Sequence, residues 1–361
     1  ECLNIRTLVV TLSTANNAEA LSSSLLCSSH DRPVALCIHC DRLLEERVYA
    51  FFCGIFEMIR AEYRGKRIVY DLGDGYNIWD DIQTGLDNSD FYFKRSYSAE
   101  KNQALLRGFE GKMFPLGLYF RVTHKKSPIN EPLWKALLKP LMGKASARYF
   151  VPKVFAGTPE REGDRKPRIL FLTQLWNDQE PGFSEEENRE RTYINQMRID
   201  IIRALRERYG DAFIGGLNDS ALSRAWAPDL IMPAEYTERK RYLKLVHSCD
   251  ICIGSMGLFE SIGGKTGEYV AAAKAIVNER LHYTVTGDFT EGVHYLPFET
   301  VEECLSAVQR LVEDQELRFA MKQANAAYYS RFLRPDALVK NTLELVDRRI
   351  AEEQKKEIAE I

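Results

Sequence analysis

The chain has 361 residues, of which 45% are hydrophobic and 28% charged, and its formal net charge is -3. This length is enough for two domains with separate cores. The charge balance excludes a general attraction to nucleic acid, and no apolar run reaches the ~18 residues that a membrane-spanning helix needs.

The first half predicts a sheet of short strands. Apolar runs rich in β-branched or aromatic residues predict strands at 7–13, 33–40, 67–73 and 90–96. The longer run 42–65 has the pattern of a helix that Gly65 ends. Because strands and helices alternate, we expect a mostly parallel sheet in an N-terminal domain, residues 1–156.

Cysteine usage indicates the compartment. The eight cysteines are scattered, and Cys37 and Cys40 form a C-x-x-C inside the apolar run 33–40. On a strand these two side chains point to opposite faces, which favours reduced core thiols over a metal or redox site. We therefore expect a reducing, cytoplasmic location.

A basic segment lies at the end of the first domain. Residues 121–153 contain eight Lys or Arg and one acid, Glu131, and several prolines interrupt them. Apolar and basic side chains together suit peripheral contact with the inner face of a membrane, or a lipid-diphosphate acceptor. The alternative is an ordinary inter-domain segment with solvated lysines. Residues 157–167 have the composition of a linker.

The alternation of strands and helices restarts in a second domain, residues 168–333. Ser184 and Glu187 have the spacing of a capping box at the start of a helix that ends near Gly210. Strands are predicted at 168–176, 212–217, 251–256 and 294–298, and helices at 236–250, 300–315 and 317–333. A last helix, within 334–361, is expected to pack back on the N-terminal domain.

One stretch, "GLFESIGGKTGEYVAAAKAIV" at 257–277, has the composition of a phosphate site. It follows a strand that ends at Gly254, and ligands of parallel sheets bind beyond such strand ends. Glycines and a helix N-terminus suit an anion, to which Lys265 adds charge. Glu268 suits ribose hydroxyls, and Glu260 suits the group beyond the phosphates. The alternative is a Gly-rich turn with a solvated Glu and Lys.

These residues resemble the E-x7-E region of retaining GT-B glycosyltransferases of the family-4 type. Glu260 and Glu268 have the right separation, Gly263 stands three residues after the first Glu, and 275–277 is similar to the strand that follows. The stretches "GKTGEYVAAAKAIV" and "DFYFKRSY" look like bacterial GT-B-like proteins of surface-polysaccharide loci.

The resemblance covers 236–333 well, 165–235 loosely and the N-terminal half only by architecture. It implies an α/β, GT-B-like fold in which two Rossmann-type domains face a cleft, with a helical C-terminus. It also implies a nucleotide-diphosphate sugar of UDP or GDP type as the donor, without cofactor or metal. Glu268 would bind the ribose and Glu260 would lie against the sugar. The diphosphate would contact Ser255, Gly257, Gly263, Gly264, Lys265 and Thr266.

The sequence departs from that family at one place. The family has an Arg and a Lys shortly after the first strand of its second domain, and "TQLWNDQEPGF" (173–183) contains neither. Arg191, Asn195 and Arg198 share one helical face and are candidates to replace them. We assign a catalytic role to Arg191, with Glu260 and Lys265, and donor binding to Arg198. The alternative is a solvated helix flank.

Candidate acceptor residues follow two strands of the first half. Asp71 and Asp74 are predicted to bind sugar hydroxyls, and Lys94 and Arg95 to meet phosphates. Because adjacent residues on a strand point oppositely, at most one of the two cations is expected to do so. The alternative for the aspartates is turn formation.

The resemblance thus implies a metal-independent, hexosyltransferase-type enzyme of polysaccharide biosynthesis that transfers sugar to a glycan or lipid-linked glycan. Two alternatives stay open. One is a catalytically weak GT-B-like glycan-binding or scaffold protein, which the missing Arg/Lys pair favours. The other is a sugar-nucleotide epimerase or an inverting transferase, which needs a general acid or base that no well-placed histidine supplies.

Overall fold

The structure, a computed structural model, consists of two compact units. It describes residues 8–13, 34–38, 58–76, 79–105, 108–109, 111–122, 150–179 and 182–360. Unit 1 comprises 1–153, 284–286 and 331–361, and unit 2 comprises 154–283 and 287–330. Both are α/β, and the chain ends in helices, which confirms the expected class.

Unit 1 is built on a six-stranded sheet of order β2-β1-β3-β4-β5-β6. Its strands are β1 (Leu8–Ser13), β2 (Val34–Ile38), β3 (Met58–Tyr63), β4 (Lys66–Asp71), β5 (Phe91–Lys94) and β6 (Met113–Pro115). Two helices follow within the same half, α1 (Trp79–Asp87) and α2 (Ala99–Leu105). The predicted strands at 7–13, 33–40, 67–73 and 90–96 are confirmed as β1, β2, β4 and β5.

The expectation of a mostly parallel sheet is wrong for unit 1. β1 pairs antiparallel with β2 and β3, and β3 pairs antiparallel with β4. Only β4, β5 and β6 run parallel to one another. The C-terminal ends of β4 and β5 therefore still lie side by side at one sheet edge.

The helix predicted at 42–65 is wrong where the structure describes it, because Met58–Tyr63 is the strand β3. It joins β4 through a two-residue turn in which Tyr63 lies opposite Lys66. Arg64 and Gly65 both have positive φ, 50° and 74°, which is the backbone of a type I′ hairpin. Gly65 therefore makes a hairpin turn instead of ending a helix.

Unit 2 has a five-stranded sheet of order β11-β10-β9-β7-β8, in which every pair is parallel. Its strands are β7 (Ile169–Thr173), β8 (Phe213–Leu217), β9 (Ile251–Gly254), β10 (Ala275–Glu279) and β11 (Leu296–Phe298). A short helix, α3 (Pro152–Phe155), precedes them. The others are α4 (Glu185–Tyr209), α5 (Ala221–Trp226), α6 (Ala234–Thr237), α7 (Arg239–Ser248), α8 (Gly264–Ala271), α9 (Val301–Glu313) and α10 (Gln315–Tyr328).

The strand order of unit 2 places a reversal between β7 and β9. From β7 the chain adds β8 on one side, and then β9, β10 and β11 on the other. This is the doubly wound order, in which a crevice opens at the C-terminal ends of the two strands where the direction reverses. β7, β9 and β10 are buried along their whole length.

Helix α4 begins and ends as predicted. The Ser184 N–H donates to the Glu187 carboxylate at 2.7 Å, and the Glu187 N–H donates to Ser184 Oγ at 3.2 Å, which completes the capping box. Ile201 and Leu205 are fully buried in the core that includes β7. The cap thus fixes where α4 begins, and its apolar stripe packs against the core.

The segment predicted as a linker is tied to unit 2 by buried ion pairs. Glu162 pairs with Arg318 at 2.9 Å and with Lys322. Asp250, just before β9, pairs with Arg165 at 2.6 Å and with Lys322 at 3.1 Å. Lys322 therefore joins the two carboxylates.

The last helix, α11 (Pro335–Ala359), contacts the sheet of unit 1. Tyr63 Oη donates to Asp347 at 3.1 Å, and the Tyr70 and Thr342 hydroxyls lie 2.9 Å apart. None of the helices described offers a window long and apolar enough to cross a membrane.

Several predictions fall outside the described residues. They are the helix at 42–57 and the membrane contact within 123–149. Cys40 lies outside them too, whereas Cys249, Cys252 and Cys304 are buried free thiols.

Candidate functional site

The candidate site lies in unit 2, where β9 ends at Gly254 and α8 begins at Gly264. A Cβ at Gly254 would stand 1.8 Å from Asn278 Oδ1, so only glycine fits there. The same Asn278 oxygen accepts from Thr266 Oγ1 at 2.9 Å. Asn278 at the end of β10 thus fastens the first turn of α8 to the sheet edge.

The N-terminus of α8 is open. Its N-cap is Gly263, in extended conformation, and no side chain caps the helix. Gly263 and Gly264 are half-buried. First-turn N–H groups and the positive end of the helix dipole therefore face this edge, which is the arrangement that binds anions.

Lys265 brings a cation to that first turn. Its ammonium donates to the Leu172 carbonyl in β7 and lies 5.4 Å from the Tyr242 ring centroid. Burial lowers the pKa of Lys265 to about 8; Glu268 raises it, and Arg198 and Arg239 lower it further. Three cations therefore lie within electrostatic reach of one another.

Arg198 joins the loops that follow β7 and β9. It donates to the Gln174 carbonyl at 2.6 Å, to Ser255 Oγ at 3.0 Å and to the Met256 carbonyl at 2.8 Å. Burial lowers the pKa of Arg198 to about 10, against the neighbouring Glu279. It remains charged, and all three of these acceptors are neutral.

The solvated-flank interpretation of the α4 stripe is wrong, because Arg191, Asn195 and Arg198 are all buried. Asn195 exchanges two hydrogen bonds with the Trp176 backbone, at 2.8 and 2.7 Å. The Arg191 guanidinium lies 3.7 Å from the Phe183 ring centroid and donates to Asn188 at 3.1 Å. Of the two arginines, Arg198 is the one that contacts the 255–263 loop directly.

Glu268 is paired with Arg239, a residue that sequence reasoning missed. Both carboxylate oxygens accept from the guanidinium, at 3.1 and 2.6 Å, and Glu268 is 5% exposed. Arg239 also lies 5.3 Å from the Phe155 ring centroid. It begins α7, 29 residues before Glu268, so no local spacing signals the pair.

Glu260 lies on a left-handed turn of the loop. Phe259 and Glu260 both have φ of 58°. The Glu260 N–H donates to Glu190 Oε1 at 3.2 Å, and Tyr283 Oη donates to the Phe259 carbonyl at 2.7 Å. Glu190 and Tyr283 were not predicted, since both are remote in sequence.

A second carboxylate, Glu279 at the end of β10, also holds the loop. It accepts from the Met256 N–H, which places it beside Arg198. Burial raises the pKa of Glu279. The loop is therefore fixed from α4, from β10 and from the segment after β10.

Three cations lie near the end of β9. Lys265, Arg198 and Arg239 lie close to Glu268 and Glu279, and Glu190 and Glu260 add two carboxylates at the same loop. Cations beside an uncapped helix N-terminus suit a phosphate or diphosphate. Within the described ranges, no group of three or more His, Cys, Asp or Glu has the arrangement of a metal site.

The four acceptor candidates lie together in unit 1 but are paired with each other. Asp71 accepts from Lys94 Nζ and from Tyr92 Oη, both at 2.7 Å, and Lys94 is 1% exposed. Arg95 pairs with Asp74 at 2.7 Å and donates to the Leu72 carbonyl at 2.9 Å. The Asp74 side chain, 44% exposed, is the most accessible of the four.

No protein-family model matches the sequence, and no curated protein is similar enough to count as a relative. Solved structures similar to the chain include the pneumococcal O-GlcNAc transferase GtfA in complex with UDP and GlcNAc. It is 14% identical, with a TM-score of 0.38 over 76% of this chain and 49% of that chain. The present chain thus spans about half its length.

Two further structures are similar to the chain. A putative UDP-N-acetylglucosamine 2-epimerase from Listeria monocytogenes is 14% identical, with a TM-score of 0.39 over 78% of this chain and 66% of that chain. HepE from Anabaena, in complex with UDP, is 11% identical, with a TM-score of 0.37 over 77% of this chain and 68% of that chain.

Proposed function

We propose that unit 2 binds the diphosphate of a nucleotide-diphosphate sugar at the N-terminus of α8, and that the protein transfers the sugar with retention of configuration. The main support is the meeting of Lys265, Arg198 and Arg239 around the loop between β9 and α8. This loop lies where the strand order of a parallel sheet reverses, the position at which such sheets bind ligands.

The chemistry needed at this position is stabilisation of a leaving diphosphate. Negative charge grows on the diphosphate as the bond to the sugar breaks. First-turn N–H groups of Gly264 and Lys265, with the fixed charge of Arg198, meet that charge without reorganising. Side-chain and backbone donors thus stabilise the leaving diphosphate, a role that a metal ion can also fill.

Lys265 can exchange its hydrogen bond to a backbone carbonyl for one to a phosphate oxygen. Its ammonium donates to a neutral carbonyl, that of Leu172. A phosphate oxygen offers a charge-assisted hydrogen bond, which is roughly twice as strong as a neutral one. Lys265 therefore leaves the carbonyl for the diphosphate when the donor binds.

The remaining donor residues take roles from their places on the loop. Ser255, Gly257 and Gly263 line the diphosphate, with Thr266 held on Asn278 as a brace. Glu268, steadied by Arg239, accepts from the ribose hydroxyls. Glu260 faces the donor sugar, and Arg191 adds charge from α4.

The acceptor is a glycan or lipid-linked glycan bound on unit 1 at the edge formed by β4 and β5. Asp74 offers the accessible polar group, held by the buried Arg95, and the buried Asp71–Lys94 pair lies at the ends of the same two strands. The basic segment 121–153 brings the enzyme to the inner face of a membrane, in the cytoplasm.

Calorimetry with UDP and GDP tests the proposal. One of the two should bind, and Lys265→Gln should weaken it about tenfold or more, the value of one charge-assisted hydrogen bond. Lys244→Gln removes the same charge from an exposed position on α7 and is the control. Absence of binding by both nucleotides overturns the proposal.

A non-catalytic alternative has one observation in its favour. Arg198 and Lys265 already donate to protein carbonyls, so neither cation is reserved for a leaving diphosphate. A glycan-binding or scaffold protein would bind a nucleotide sugar without consuming it. Release of UDP or GDP from nucleotide sugars, with the product anomer read by NMR, separates transfer from binding.

A further inference from the structure

Two consecutive residues of the site loop adopt a backbone that ordinary side chains avoid. Phe259 has φ 58° and ψ 38°, and Glu260 has φ 58°. Glycine adopts this conformation without strain, whereas other residues keep it only where neighbouring groups hold it. Because the chain has Phe and Glu there, contacts with neighbouring groups have to offset the strain.

A carboxylate from α4 holds the strained turn. Glu190 Oε1 accepts from the Glu260 N–H at 3.2 Å, and the Phe259 N–H also bonds to this carboxylate. Successive N–H groups turned to one side form a concavity that binds an anion. Here a side chain of the protein occupies it, and Tyr283 Oη fixes the Phe259 carbonyl at 2.7 Å.

This contact sets two like charges against each other. Glu190 is half-buried. Burial raises the pKa of its carboxyl group, and the nearby Glu260 carboxylate also raises it. The two carboxylates at this turn repel each other, so a neutral acceptor at position 190 would stabilise the fold better. An acidic residue at 190 is instead consistent with a need to hold Glu260 in a fixed position.

We propose that Glu190 is a positioning residue that holds the 259–260 turn so that the Glu260 carboxylate meets the donor sugar. This rests on the proposed function, since the sugar is the group that lies beyond the diphosphate. Glu190 touches neither sugar nor phosphate and acts through the backbone N–H groups of the turn. The two main diphosphate cations, Lys265 and Arg198, donate to Leu172, Gln174, Ser255 and Met256, none of which belongs to the 259–260 turn.

The test separates the sugar from the nucleotide. Native protein, Glu190→Ala and Glu190→Gln are titrated with UDP and with UDP-glucose. If the native protein prefers GDP to UDP, GDP and GDP-mannose are used instead. Glu190→Ala should leave the nucleotide Kd within about twofold and weaken the nucleotide sugar about tenfold or more, because a misplaced group loses its contact. Gln, which retains one acceptor, should recover part of the loss. Glu186→Ala, an exposed acid one turn earlier on α4, should match native protein.

A double-mutant cycle tests whether Glu190 acts through Glu260. Glu260→Gln should show the same selective loss, and Glu190→Ala with Glu260→Gln should lose little more than either alone. Hydrogen exchange of the 255–263 peptide should rise in Glu190→Ala. Fully additive losses, unchanged exchange, or equal losses for nucleotide and nucleotide sugar overturn the role of Glu190 while the proposed function stands. Absence of nucleotide binding by native protein overturns both.

Discussion

At the scale of single residues, Lys265 is a group whose charge depends strongly on its surroundings. Burial lowers its pKa from 10.5 to about 8, so the folded protein disfavours the charged form. The cost of burying that charge is present below pH 8 and disappears as the pH rises toward the unfolded value. An anion bound beside Lys265 would favour the charged form again.

Nucleotide binding should therefore depend on pH. The affinity for UDP should fall as the pH rises through about 8, and binding at pH 8.5 should take up a proton, because the diphosphate raises the pKa of Lys265. Calorimetry in buffers of different ionisation enthalpy measures this uptake. Lys265→Arg, whose charge does not titrate, should abolish it. An affinity that is flat from pH 7 to 9.5 would contradict a role for Lys265.

Glu268 is tested by comparing UDP with inorganic pyrophosphate. Glu268→Gln should weaken UDP about tenfold, since a charged acceptor for the ribose is lost. Pyrophosphate should bind as well or better, because Arg239 is released from its pair. Glu235→Gln, in an exposed pair with Arg241, is the control. Equal loss for both ligands would show that Glu268 acts only as the partner of Arg239.

The sequence predicted the side chains of the candidate site but not the residues that hydrogen-bond to them. The E-x7-E spacing identified Glu260 and Glu268 on one continuous stretch. Their partners, Glu190 and Arg239, come from other helices, and sequence separation leaves no periodic signal for such contacts. Asp71 and Lys94 are the last residues of the parallel strands β4 and β5, and their mutual pairing depends on a register that only the folded sheet shows.

At the scale of elements, the close approach of β9 to β10 shapes the site. Gly254→Ala would place a methyl group 1.8 Å from Asn278 Oδ1. We expect a loss of about 1–3 kcal/mol in the free energy of unfolding, the usual cost of overpacking. Urea unfolding measures it. Asn278→Ala makes room, so the double variant should lose less than the two single losses added; additive losses would contradict the contact.

The buried ion cluster beside β9 predicts a stability effect. Lys322→Met should destabilise unit 2 by about 3–5 kcal/mol, because Glu162 and Asp250 would be left close together with less compensation. Thermal unfolding measures the loss, and Lys244→Met at an exposed position of α7 should change little. An equal effect of the two substitutions would contradict the role of the cluster.

The same cluster sets an acid limit. Burial works to raise the pKa of Asp250, but hydrogen bonds from Arg165, the Arg168 backbone and Lys322 lower it to about 2. Its contribution is therefore complete above the unfolded pKa near 4 and is lost as the pH falls toward 2. Asp250→Asn should flatten stability over that window in acid titrations followed by circular dichroism. A slope equal to that of native protein would contradict this assignment.

Elements with strong local signals were predictable. Helix α4 was found because Ser184 and Glu187 form a capping box and the apolar stripe repeats behind it. β3 was missed because 58–63, which includes Arg60 and Glu62, continues the run from residue 42 whose pattern predicts a single helix. The following Arg64–Gly65 was the available sign, as a two-residue turn with Gly is typical of hairpins.

At the scale of the whole molecule, the alternation of strands and helices predicted the α/β class. It did not predict the strand directions in unit 1 or which distant segments belong to that unit. Unit 2 is parallel because each of its strands is followed by a crossover, whereas the hairpin between β3 and β4 makes unit 1 mixed. Residues 284–286 and α11 belong to unit 1 although they are distant from it in sequence. Tyr63, Tyr70 and Lys66 hold α11 there, and their partners have no signature of their own.

The most direct test is a crystal structure of the protein with UDP, or with GDP if calorimetry favours it. We expect the diphosphate within hydrogen-bond distance of the Gly264 and Lys265 N–H groups, with Lys265 Nζ moved from the Leu172 carbonyl onto a phosphate oxygen. The ribose should lie against Glu268. A nucleotide bound elsewhere, with the 255–266 segment and Lys265 unchanged, would contradict the assignment of the site.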